Sequence, residues 1–193
     1  MGKFCKLYLE EYFNHKVIGA EEDIKDASTL SDNEKNGYFF YPDMLPDSLE
    51  EFVIDNVPFT FPDKSPQKYD NIICEEQTIV VPPNKYKMLC ILGFCELGDF
   101  SEKVILQYDD GTHEEIEVYF LDWWRGFSWQ YDINTGCKVA LKANIYAKVI
   151  PHYIYYNKRI ITNSNKVLRS IELPYSPNMH ILGITLEYSN EKV

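Results

Sequence analysis

The stretch EKVILQYDDGTHEEIEVYFLDWW, residues 102–124, decides how the rest of the chain is read. Val104, Leu106 and Tyr108 alternate with Lys103, Ile105 and Gln107, and beyond Asp110-Gly111 the residues Ile116, Val118 and Phe120 alternate with Glu115, Glu117 and Tyr119. Period-two patterning on both sides of an Asp-Gly pair that tolerates positive φ predicts a β-hairpin with one buried and one wet face. Its second strand runs into Asp122-Trp123-Trp124-Arg125-Gly126-Phe127-Ser128-Trp129, which holds every tryptophan of the protein.

Working outward, short apolar runs recur between Pro, Gly and Asn punctuation. Lys6 to Tyr12 reads as a first strand, and Asn14 to Asn36 as a long acidic loop. Tyr38 to Tyr41 reads as extended, and Pro58 and Pro62 confine Glu51 to Phe61 to an edge or a short strand. Gln77 to Val81 is a strand stopped by Pro82-Pro83, and Lys87 to Cys95 is apolar throughout, as a strand buried on both faces should be. In the second half, Lys138 to Ile150 fits strand or helix, and Tyr153 to Tyr156 a strand before a turn at Asn157-Lys158. Val167 to Leu173 and His180 to Tyr188 are strands. The pattern predicts an all-β, antiparallel β-sandwich, with one domain over residues 1–193 and a core of about 7–188.

A chain of 193 residues buries a core without disulfides or metals. The formal charge of −11 argues against nucleic acid and anionic membranes, because phosphate binding needs clustered Lys and Arg. There is no apolar run of membrane-spanning length and no apolar core near Met1 of the kind a signal peptide carries, so a cytoplasmic location is expected, or an extracellular one if the chain is a processed form. Five cysteines without a CxxC pair are expected to be free buried thiols.

Several features resemble, in order, the galactose-binding-like jelly-roll domains appended to bacterial glycoside hydrolases. They are Asn36-Gly37 with Leu45-Pro46, Tyr69-Asp70-Asn71-Ile72, Gln77 to Pro82, Leu89 to Gly93, Tyr108 to Thr112, Leu121-Asp122-Trp123, and Ile171 to Pro174 with His180 to Leu186. The resemblance implies a noncatalytic jelly-roll module of eight or more strands that binds a carbohydrate or glycoconjugate, in some members with a structural calcium. The acidic run Glu21 to Glu34 has carboxylates for calcium but lacks EF-hand spacing, so a solvated face is expected there, with no metal or other cofactor.

Sugar sites combine aromatic faces, which stack on pyranose C–H groups, with polar side chains that take the hydroxyls. Asp122, Trp123, Trp124, Arg125, Trp129 and Tyr131 supply both after one strand, and His152 adds a ring from another part of the chain. The alternative for Trp123 and Asp122 is structural, with Trp123 closing the core and Asp122 capping the turn. His180 is expected to be a satisfied core or edge histidine, and Asp70-Asn71 an Asx turn, the alternative for that pair being a bond to a ligand or a neighbouring loop. No GxSxG, HExxH, P-loop or GxGxxG motif is present, so no enzymatic activity is expected. The alternative function is a structural or protein-interaction module that pairs with another protein or a second copy.

Overall fold

The computed structural model describes residues 3–19, 39–124, 137–144 and 151–189. Among these, the strands are β1 (Phe4–Lys6), β2 (Glu51–Ile54), β3 (Val57–Thr60), β4 (Ile72–Glu75), β5 (Thr78–Cys95) and β6 (Phe100–Tyr108). They continue with β7 (His113–Phe120), β8 (Cys137–Asn144), β9 (Pro151–Ile160), β10 (Val167–Glu172) and β11 (Tyr175–Tyr188). Every paired ladder is antiparallel, so the protein is an all-β antiparallel sandwich. No helix among the described residues is long and apolar enough to cross a membrane.

The 18-residue β5 serves both halves of the sandwich. Its first half pairs with β10, which leads through β6 to β7. Its second half lies between β11 and β9, with β8 beyond β9 and with β4 and β1 on the far side of β11. Burial follows this division. Ile79 and Val81 are buried between exposed Thr78 and Val80, whereas Leu89 to Cys95 are buried without interruption, as a central strand covered on both faces requires. Gly93 sets the spacing there, because a Cβ would lie 2.3 Å from the carbonyl oxygen of His180 and 3.3 Å from the Phe120 ring.

The 102–124 hairpin forms as predicted, but only Gly111 takes a positive φ, +80°. The Gly111 N–H donates to the Tyr108 carbonyl and the Tyr108 N–H to Thr112, giving a three-residue loop in which glycine supplies the left-handed position. Four sequence expectations change. Pro82-Pro83 do not stop β5: they fall where the register with β10 shifts, between Val80 and Asn84, so their missing N–H groups interrupt no ladder bond. Asn157-Lys158 is not a turn but lies inside β9, paired with Ile91 and Cys90. Segment 51–61 is a hairpin of its own, turned by Asp55 and Asn56 at φ 49° and 63°. Residues Leu7 to Tyr12 leave the ladder after β1, and Lys138 to Asn144 settles as strand.

Candidate functional site

After β7 the chain crosses to the end of β5. The Cys95 N–H donates to Leu121 and the Trp123 N–H to Cys95, and the Tyr153 N–H from β9 donates to the Trp123 carbonyl. These bonds bring Asp122, Trp123, Trp124 and His152 together. Arg125, Trp129 and Tyr131 lie outside the described residues, as does the acidic run 21–34 considered for calcium.

The four residues divide by burial. Trp123 is fully buried, stacked on Phe94 (5.1 Å between centroids, 14°) and set edge-on to Phe40 and His152. The structural alternative therefore describes it, and its face is closed to a sugar. Asp122 is half-buried, and its Oδ1 accepts the Trp124 N–H at 2.9 Å, so it also caps the turn. Trp124 is 40% exposed, with its ring 4.3 Å from that of buried His152 at 67°. Among the four, Trp124 alone presents an indole to solvent.

Behind this surface lies a buried polar chain that the sequence did not reveal. Asp70 accepts the N–H groups of Val17 (2.8 Å) and Ile18 (3.0 Å) and the Asn71 side-chain amide (2.9 Å), and Lys16 Nζ stands 3.5 Å away. Asp70 thus braces the neighbouring N-terminal segment and forms no Asx turn. Burial pushes the Asp70 carboxyl up, while Lys16, Asn71 and the two peptide groups pull it back. Asn71 Nδ2 also donates to the His15 carbonyl, so its Oδ1 is left as the acceptor for His180 Nδ1 at 2.9 Å. That contact makes His180 Nδ1 the protonated nitrogen and turns the Nε2 lone pair toward Glu96.

Glu96 follows Cys95 at the end of β5 and is fully buried. Neither of its carboxyl oxygens has a hydrogen-bond partner, and Oε1 lies 3.7 Å from His180 Nε2, which is also unpartnered. Burial, with a smaller contribution from the Asp122 charge, raises the Glu96 carboxyl to about 7. Burial and the neighbouring His15 push His180 well below the usual imidazole range. Below about pH 7 the pair is therefore a protonated carboxylic acid facing a neutral imidazole, 3.7 Å apart and without a hydrogen bond between them. His180 is therefore buried, as expected, but not fully satisfied. Its ring stacks flat on Phe94 (4.6 Å, 2°), so His180, Phe94 and Trp123 form one continuous pile.

The cysteines are free. Burial raises the thiols of Cys74, Cys90, Cys95 and Cys137, those of Cys90 and Cys137 to about 11 and about 12. Such thiols stay protonated at neutral pH and are poor nucleophiles. No group of three or more potential metal ligands occurs among the described residues.

The family described as the AziU2-like beta-sandwich domain matches residues 4–190, nearly the whole chain, and the protein belongs to that family. No curated protein matches the sequence.

Proposed function

We propose that this AziU2-like β-sandwich is a noncatalytic module that binds a carbohydrate or glycoconjugate, related in fold to the galactose-binding-like jelly rolls. The observation that carries this reading is Trp124, an exposed indole whose ring rests on buried His152 and whose backbone is tied to Asp122. Stacking on a sugar is weak, so it favours a ring whose orientation is fixed before binding. Asp122, half-buried beside it, supplies an acceptor for hydroxyls. The noncatalytic reading draws support from the protonated state of the buried thiols and from the complete burial of Glu96 and His180, which keeps that acid and imidazole away from a surface ligand.

Titration with neutral mono- and disaccharides, followed by tryptophan fluorescence, tests this. A saturable change that Trp124→Ala removes, with the fold retained, is the expected result. A fluorescence change that survives in Trp124→Ala would move the site elsewhere.

The second reading, a structural or self-associating module, is favoured by an apolar pocket of about 430 Å³ between β1, β3 and β11, floored by Leu7, Leu9, Phe59 and Ile184. A mass that rises with concentration, together with protection of Tyr8 and Leu49 at its rim, is the result that would select it.

A further inference from the structure

A second groove, of about 560 Å³, is lined by β7 residues and by the end of β9, and Arg159 is part of its lining. Arg159 Nε is buried without a hydrogen-bond partner, and among the described residues no carboxylate stands in ion-pair range of the guanidinium. Desolvation lowers its pKa, and the field of Glu117 offsets this only in part. An arginine carries five donors in a planar fork, and burying the Nε–H donor without a partner is costly unless something else takes it.

The acidic residues of the groove are already committed. Glu114 accepts from Tyr108 Oη, from the Thr162 hydroxyl and N–H and from the Asn163 N–H, all within 2.8–2.9 Å. Glu115 pairs with Lys103 at 2.6 Å, and Glu117 accepts from Ser101 Oγ at 2.5 Å. These partners fix the carboxylates in place without removing their charge. The half-buried Tyr119 forms one wall, and Ile160, 71% exposed, stands at the rim.

We infer that this groove binds a small zwitterion, an α-amino acid with an apolar side chain. The ligand carboxylate takes the Arg159 fork, its ammonium faces Glu117 and Glu115, and its side chain lies along Tyr119 and Ile160. The ammonium is favoured by charge: with Glu115 paired to Lys103, Glu114 and Glu117 still outnumber Arg159, so a ligand bearing a carboxylate alone would meet a net negative groove. The site is separate from Trp124 and does not depend on the sugar reading.

The test uses the intact chain labelled with ¹⁵N, titrated with L-phenylalanine while the Arg159 side-chain Nε–H and the Tyr119 amide are followed. Saturable shifts of both signals are expected. Phenethylamine, which lacks the carboxylate, and N-acetyl-L-phenylalanine, which lacks the ammonium, should each bind about tenfold more weakly or worse, the scale of one lost charge-assisted contact. Arg159→Gln should weaken binding by a similar factor. The analogues probe the unaltered protein, so the result stands even if that variant folds poorly. An absence of saturable shifts at millimolar ligand would overturn the inference, as would binding of either analogue as tight as that of L-phenylalanine. N-acetylneuraminic acid, an anion without an ammonium, binding as well as phenylalanine would overturn the zwitterion assignment.

Discussion

Asp70 and Glu96 are both completely buried carboxyl groups, and they sit at opposite ends of one chain of side chains running through Asn71 and His180. Asp70 is surrounded by donors: two peptide N–H groups, one amide and an ammonium. The Glu96 carboxyl has no hydrogen bond, and its neighbours His180 and Asp122 offer a lone pair and a negative charge. Equal burial therefore has opposite meanings. The first group is held as the partner of a buried lysine and joins the N-terminal segment to the start of β4. The second is held as a neutral acid because ionising it would leave a charge with nothing to meet it.

Within the polar chain the largest effect should come from breaking the Asp70 end. Asp70→Ala strands the Lys16 ammonium, whose other partners among the described residues are the carbonyls of Ser65 and Lys68, and also frees the N–H groups of Val17 and Ile18. A loss of ~3–5 kcal/mol in urea unfolding is expected, the scale for one partner removed from a buried pair. A loss below ~1 kcal/mol would show that water reaches Lys16 in the native protein.

At the other end, the sign reverses. Native Glu96 keeps its proton to about pH 7, whereas the unfolded chain releases it near the ordinary 4.5. Between those values the native state binds more protons, so this group makes stability fall as pH rises. Glu96→Gln removes that fall and should stabilise the protein at pH 8 by about 3 kcal/mol relative to the parent, with little change at pH 4.5. Chemical unfolding at both pH values checks it, and a variant less stable at pH 8 would show that the carboxylate is satisfied when ionised.

His180 works in the contrary sense. Its pKa is depressed, so below the usual imidazole value of 6.5 the unfolded chain binds the extra proton and stability drops as pH falls. The two slopes oppose one another in the parent. Glu96→Gln should leave stability rising with pH up to about 6.5, and His180→Gln should leave it falling between about 4.5 and 7. Slopes of the same sign in both variants would break the neutral-pair assignment.

The smallest stability effect belongs to Trp124. Its neighbour Trp123 fills the core, and Trp123→Ala should cost ~3–5 kcal/mol, while Trp124→Ala should cost ~1 kcal/mol or less. Urea unfolding of the two variants side by side checks this, and equal losses would assign both rings to the scaffold.

The contrast between local and long-range signals also explains how much the sequence disclosed. The 102–124 hairpin was legible because alternation and an Asp-Gly turn act over neighbouring residues, and uninterrupted apolarity from Leu89 to Cys95 marked the central strand. The turn at Asp55-Asn56 was hidden by Pro58, which discourages a ladder, although here it pairs with Val53 on a two-stranded hairpin. Pro82-Pro83 misled for the same reason, since only the tertiary register shows that β10 shifts beside them. Sequence proximity placed Asp122, Trp123 and Trp124 side by side, but the burial of Trp123 and the closeness of His152 to both rings are set by tertiary packing. The polar chain was out of reach: His15 meets Asn71 across 56 positions and His180 meets it across 109, and no local pattern records such pairs.

A glycan array probed with the parent chain, Glu96→Gln and Trp124→Ala tests most directly the claim that the buried rings and carboxyls are scaffold and Trp124 is the contact surface. The account predicts the same bound glycans for the parent and Glu96→Gln, and loss of binding in a folded Trp124→Ala. A blank array from the folded parent, or a Trp124→Ala chain that still binds the same glycans, would contradict it.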